Sequence, residues 1–253
     1  MAALLEARGI SKRFGHVQAL DAADFSAAAG EVVALIGDNG AGKSTLVKIL
    51  SGAVQPDGGE ILLAERRVHF TSPLDAQRHG IETVYQDLAL APDLDAAANF
   101  HLGREIVRVP FLKVLDRRLM RERARSAFAD LGIDLPDVRA PVGSLSGGQQ
   151  QSIAVARVVS YASKVIFMDE PTAALGVLQR GRVLDTIRRV RDRGIAIVLI
   201  SHNMPEVLAV ADRVEVLRMG RRVATYRAGA TSVDELVGAM TGALELQAGE
   251  DGR

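Results

Sequence analysis

The chain has 253 residues, 48% of them hydrophobic, with 31 Lys and Arg balanced by 31 Asp and Glu and no cysteine. This length suits one large α/β domain with room for an inserted subdomain, and it disfavours two independent domains. Zero formal net charge gives no basic excess that would point to nucleic acid, and the absence of cysteine excludes disulfide frameworks and zinc–thiolate sites.

In chain order, strands are predicted at 4–10, 18–27, 31–36, 60–63, 81–85, 165–168, 195–200 and 213–218. The opening segment meets charge too early for a signal peptide, and no run reaches the roughly 18 apolar residues of a membrane span. The run Glu31-Val32-Val33-Ala34-Leu35-Ile36 is too apolar for a half-solvated edge and reads as a parallel strand covered on both faces. Behind it comes Gly37-Asp38-Asn39-Gly40-Ala41-Gly42-Lys43-Ser44, which fits G-x-x-x-x-G-K-[ST], and then a helix with Leu46, Ile49 and Leu50 on one side and Gly52 at its end.

A chance match to that motif is an event on the order of one in a hundred for a chain this long. The strand before it and the helix after it lower that further, so the chain is read as binding a nucleoside triphosphate. The glycines let successive N–H groups and the positive end of the helix dipole face an anion. Lys43 would reach the β- and γ-phosphates, and Ser44 can ligate Mg²⁺.

The turn Pro56-Asp57-Gly58-Gly59 leads to a short strand, and the early strands are expected to form an antiparallel flank on a parallel central sheet. From about residue 87 to 162 no strand is expected. The segment 117–131 mixes charge and alanine with Leu119, Phe128 and Leu131 near helical intervals, so the region reads as a helical insertion. Pro136 and Pro141 end it before Leu145-Ser146-Gly147-Gly148-Gln149, which opens a helix marked by Ile153, Ala156 and Val159 or Ser160. Ser146 can cap that helix, whose amides offer a second anion site. Two phosphate-binding helix ends are excessive for one nucleotide unless each serves a different subunit; the plainer reading is a capped helix with a flexible start.

A second apolar strand runs from Val165 to Met168 straight into Asp169-Glu170-Pro171. With a phosphate-binding loop upstream, Asp169 would hold Mg²⁺ through water, and Glu170 would orient the attacking water in an in-line displacement. Gln86, just after the strand at 81–85, is placed to reach the metal or its water.

These motifs, with His202 after the strand at 195–200, occur in the order and approximate spacing of an ABC-type ATPase, which the chain resembles over about residues 5–242. The resemblance implies a P-loop fold of ABC type: a mixed sheet with parallel core, an antiparallel flank and an inserted helical subdomain at 87–160, followed by a tail at 243–253. It implies ATP and Mg²⁺ as ligands, with Phe14 stacking on adenine and the loop Gly37, Asp38, Asn39, Gly40, Ala41, Gly42, Lys43, Ser44 and Thr45 round the phosphates. Ser44, Gln86 and Asp169 would serve the metal, Glu170, His202 and Lys43 the catalysis. Ser146, Gly147, Gly148 and Gln149 would meet the ATP of an opposing subunit in a head-to-tail dimer. One segment departs from the common pattern: Ala173-Ala174-Leu175-Gly176 stands where many members have Ser-Ala-Leu-Asp, so contacts between the two sites are expected to be weaker or differently built.

Further segments, among them Asn99-Phe100-His101-Leu102-Gly103-Arg104-Glu105 and Ile200-Ser201-His202-Asn203-Met204-Pro205, resemble ATP-binding subunits of bacterial carbohydrate importers of the ribose, xylose and fructose type. That implies a peripheral protein on the cytoplasmic face of the inner membrane, pairing with itself or a similar ATPase subunit. Its partners would be membrane-spanning permease subunits and, indirectly, a sugar-binding protein, with no nucleic acid expected. Phe100, Leu102, Phe111 and Leu112 are candidates for the permease surface, with a core role equally open for each. The alternatives are a soluble ABC ATPase in DNA or ribosome processes and a non-hydrolysing nucleotide switch. The sequence does not name the sugar.

Overall fold

A computed structural model describes residues 2–243 apart from 86, 87, 110, 112, 134, 136 and 174. The expectations placed on Gln86, Leu112, Pro136, Ala174 and 244–253 therefore lie outside the described residues. Two compact units form, one drawn from Met1–Thr83, Ala162–Glu170 and Ile187–Arg253, the other from Val84–Tyr161 and Pro171–Thr186.

The first unit opens with β1 (Ala3–Phe14) and β2 (Val17–Ala28), followed by β3 (Val32–Ile36), helix α1 (Lys43–Leu50), β4 (Gly58–Leu63), β5 (Arg66–Val68), α2 (Pro73–Arg78) and β6 (Ile81–Val84). The second unit contributes α3 (Ala96–Phe100), β7 (Val107–Val109), β8 (Val114–Leu115), α4 (Arg117–Asp130) and α5 (Gly147–Tyr161). The chain then returns through β9 (Val165–Asp169). Helix α6 (Val177–Asp192) begins in the second unit and ends in the first, and β10 (Ala196–Ile200), α7 (Met204–Val210), β11 (Arg213–Arg218), β12 (Arg221–Arg227) and α8 (Val233–Thr241) complete the first.

The central six-stranded sheet has the order β12-β11-β3-β10-β9-β6. β10 pairs in parallel with both β3 and β9, and β11 in parallel with β3, whereas β12 is antiparallel on β11. Every residue of β3 and β10 is buried, as expected for parallel strands covered on both faces. The antiparallel flank is a separate four-stranded sheet of order β2-β1-β4-β5. Leu5, Ile10 and Leu20 of this flank share one core with Leu46 and Leu50 of α1 and Phe167 of β9.

Besides β5 and β12, which were not predicted, three details differ from the sequence reading. Gly58 and Gly59, expected in a turn, already belong to β4; Gly59 has φ 91°, and a Cβ there would come within 2.5 Å of the Gly9 carbonyl oxygen. In α4 the buried stripe is Met120, Ala124 and Phe128, leaving Leu119 only partly covered. The 87–162 region also holds a two-stranded ribbon, β7 against β8, where no strand was predicted.

One charged cluster inside the first unit had no signal in the sequence. Glu215 on β11 is 1% exposed and bonds to Arg213, which also donates to Glu31 Oε1 at 2.8 Å. Burial raises the Glu215 pKa against the opposing pull of Arg213 and Arg222. The pairing ties the start of β11 to the entry of β3, and the Asp212 carboxylate accepts from the Val32 N–H nearby at 2.8 Å.

Candidate functional site

The loop after β3 is shaped by close backbone approach. Gly42 has φ 102°, and a Cβ there would lie 2.5 Å from the Ala19 carbonyl oxygen; at Gly37 a Cβ would lie 2.1 Å from the Leu217 carbonyl oxygen. Gly42 occupies the cap position of α1 in a left-handed conformation, and no side-chain hydrogen bond caps the first turn. The leading amides of α1 are therefore not engaged by a capping side chain, which suits an anion. Asp38, Asn39, Gly40 and Ser44 are exposed, Thr45 is half-buried and Ala41 is buried.

Lys43 is only 7% exposed, and its Nζ donates to the carbonyl oxygens of Gly37 at 2.6 Å and Asp38 at 2.9 Å. Burial lowers its pKa, with Asp169, Asp38 and Glu170 pulling the other way. The ammonium is thus held on the loop's own backbone, flanked by acid.

Those acids stand at the end of β9. Burial raises the pKa of Asp169, opposed by Lys43, His202 and Lys48. It raises that of Glu170 as well, opposed chiefly by His202 and reinforced by Asp169. Glu170 takes a left-handed backbone, φ 51°, while its N–H donates to the Ile200 carbonyl at the end of β10 at 3.0 Å. Its Oε1 is buried without a hydrogen-bond partner, and His202 Nε2 lies 3.4 Å from that oxygen. His202 itself is exposed on the bend between β10 and α7, where Asn203 caps α7 by accepting from the Glu206 N–H.

The structure thus gathers Lys43, Asp169, Glu170 and His202 around one electrostatic centre. Phe14 lies in the same unit at the β1–β2 turn, 49% exposed, with Lys12 Nζ 5.5 Å from its ring centroid.

In the second unit Ser146 precedes α5 and Gln149 lies in its first turn. The two cap each other: Ser146 N–H donates to Gln149 Oε1 at 3.0 Å, and Gln149 N–H donates to Ser146 Oγ at 3.3 Å. The S-x-x-Q spacing of a capping box carries this in the sequence, though sequence reading credited Ser146 alone. Ser146 and Gly147 are exposed, Gly148 half so. A cavity of about 210 Å³ beside them is lined by Gln149, Ser152, Gln179 and Arg182 among others. Ile153, Ala156 and Val159 of α5 are buried as predicted. In the altered loop, Leu175 is buried and its N–H donates to the Thr172 carbonyl oxygen at 3.2 Å.

Of the apolar candidates in the insertion, Phe100 is 3% exposed and belongs to the core, packed edge-on against Phe128. Leu102 and Phe111 are exposed, at 40% and 94%. The neighbouring His101 is buried, with Nδ1 2.7 Å from the Tyr161 hydroxyl and Nε2 3.0 Å from the Met120 carbonyl oxygen.

The family described as ABC transporter matches residues 20–173 of the chain. The chain is 50% identical to the fructose import ATP-binding protein of Rhizobium meliloti over 247 residues, covering 96% of the chain and 95% of that protein. It is 45% identical to the xylose/arabinose import ATP-binding protein of Sulfolobus acidocaldarius, covering 95% of each. Its fold is similar to that of a nucleotide-free ATP-binding cassette from an ABC transporter, with TM-score 0.81 and 23% identity over 95% of the chain and 96% of that cassette.

Proposed function

Because the chain belongs to the ABC transporter family, we propose that it is the ATP-hydrolysing subunit of a carbohydrate importer, powering transport through a separate membrane permease. The observation that carries the chemistry is the buried Glu170 Oε1, without a hydrogen-bond partner and 3.4 Å from His202 Nε2, in a centre shared with Lys43 and Asp169. The relatives' import names support the sugar class.

Lys43 exchanges its Gly37 and Asp38 carbonyl partners for the β- and γ-phosphate oxygens, so an ammonium already held in place gains anionic partners. Glu170 orients a water for in-line attack on the γ-phosphorus and takes its proton as the bond to the ADP oxygen breaks. Burial makes this carboxylate a stronger base than an exposed one. His202 contacts the γ-phosphate from the neighbouring bend, and Phe14 offers a ring face to adenine.

The donor set suits a hard divalent cation: the exposed Ser44 hydroxyl and the Asp169 carboxylate, with Gln86, would hold Mg²⁺. When bound it would neutralise the phosphate charge.

The cassette spans about residues 5–242 with its insertion at 87–160. Two copies, or this chain and a similar subunit, close head to tail on ATP, with Ser146, Gly147, Gly148 and Gln149 meeting the opposing γ-phosphate. Hydrolysis removes those contacts and reopens the pair. The insertion faces permease subunits, which a sugar-binding protein supplies from outside. The subunit sits on the cytoplasmic face of the bacterial inner membrane; no helix among the described residues is long and apolar enough to cross it.

The test is uptake of labelled sugar by cells expressing this chain together with a carbohydrate permease that it binds, alongside ATPase activity of the purified chain. Hydrolysis and uptake that both vanish with Glu170→Gln support the reading. Normal uptake with that variant overturns it.

A further inference from the structure

The β7–β8 ribbon in the second unit is an anomaly of burial. All its strand residues are exposed, and its apolar side chains Val107, Val109, Val114 and Leu115 are 38–47% exposed, with Phe111 between the strands at 94%. A two-stranded ribbon of this size has little stability in water by itself, so an external surface that covers it would hold it.

The charge around it indicates which surface. Arg108, Lys113, Arg117 and Arg118 are all exposed, and among the described residues none of them makes an ion pair. Asp116 is the sole acid from Val107 to Arg118, and its carboxylate is engaged in capping α4 by accepting from the Leu119 N–H. Arg117 and Arg118 occupy the first turn of α4, which contains no acidic residue. Cations there oppose the positive end of the helix dipole, a local penalty that an outside anion relieves. Exposed apolar side chains interleaved with unpaired cations match an anionic bilayer surface, with Phe111 at the acyl boundary and the cations among headgroups.

We propose that this ribbon and the first turn of α4 bind anionic phospholipid directly, giving the subunit a membrane contact of its own. This extends the peripheral placement proposed above but does not depend on nucleotide chemistry.

The experiment is co-sedimentation of the purified chain, without permease, with phosphatidylcholine vesicles and with vesicles containing phosphatidylserine. Binding is expected to be at least about tenfold stronger with phosphatidylserine and to fall with salt, each cation contributing a factor of about five. Phe111→Ser and the pair Arg117→Gln with Arg118→Gln should each weaken it at least about fivefold, with basal ATPase unchanged. Because these side chains are exposed, the variants should keep the fold, and a wild-type melting temperature verifies that. Equal binding to both vesicle types, or variants that bind like wild type, overturns the proposal. So does a result in which wild type ignores both vesicles while Phe111→Ser reduces co-purification with the permease, which would make the ribbon a protein contact. Loss of ATPase in the wild-type chain would count against the importer reading alone.

Discussion

His202 Nε2 lies 3.4 Å from Glu170 Oε1, and that oxygen is buried with no hydrogen-bond partner. The bend after β10 and the end of β9 are thereby coupled electrostatically, so events at one residue are felt at the other. A buried acceptor with spare capacity fits a group that must receive a proton.

Glu170→Gln should retain ATP binding by calorimetry while hydrolysis falls at least about a hundredfold, the scale for loss of a key catalytic group. Turnover near that of wild type would remove Glu170 from its role.

The same substitution should stabilise the nucleotide-free protein near neutral pH. Burial raises the Glu170 pKa, so between the ordinary carboxylate value and the raised one the folded state binds more protons than the unfolded. Stability therefore declines as pH rises through that window, and the burden is fully present above it. The melting-temperature advantage of Glu170→Gln should shrink as pH falls through the ordinary glutamate value of about 4.3 and be lost well below it, where the carboxyl is protonated in both states. An advantage that does not change with pH would contradict this account.

Lys43→Ala removes a cation that is 7% exposed and bonded to two carbonyls of the loop. ATP affinity should drop about 10- to 100-fold, the range of a charge-assisted hydrogen bond. Calorimetry giving an unchanged Kd would refute the phosphate assignment.

Gly42→Ala forces a Cβ to 2.5 Å from the Ala19 carbonyl oxygen at φ 102°. The loop must shift, with a loss of about 1–3 kcal/mol in stability and of ATP binding. A variant that melts with wild type and binds ATP equally would show that the loop has more freedom than its geometry implies.

His101→Ala leaves the Tyr161 hydroxyl and the Met120 carbonyl without their imidazole partner, which should destabilise by roughly 1–3 kcal/mol. Burial lowers the His101 pKa, so the unfolded state binds the proton more readily, and stability should fall as pH drops below about 6.5. Denaturant unfolding from neutral to acid pH should show that slope in wild type, and loss of this contribution in His101→Gln. An identical slope in both would exclude His101 as its source.

The centre of the fold was legible because its strands are buried on both faces. Val32–Ile36, Val165–Asp169 and Ala196–Ile200 are near-continuous apolar runs, and each leads within two residues into a segment proposed for the chemistry, at Gly37, Asp169 and His202. Edge elements left weaker marks. β12 turns only Ala224 and Tyr226, both partly covered, toward the core between exposed Val223, Thr225 and Arg227, too short an alternation to stand out, and the β7–β8 ribbon has no buried face to impose a period. The identities of Lys43, Asp169, Glu170 and His202 could be read from motifs. The left-handed backbone at Glu170 and the Lys43 bonds to its own loop could not, because both depend on tertiary closure.

In the proposed head-to-tail pair, the reciprocal Ser146–Gln149 bonds would mean that a phosphate arriving from an opposing subunit meets a serine already spoken for. Its arrival would be an exchange, with the glutamine amide turned out as the newcomer takes the serine. A solitary subunit would thus sit behind a latch of its own making, tuning how readily encounters become commitment.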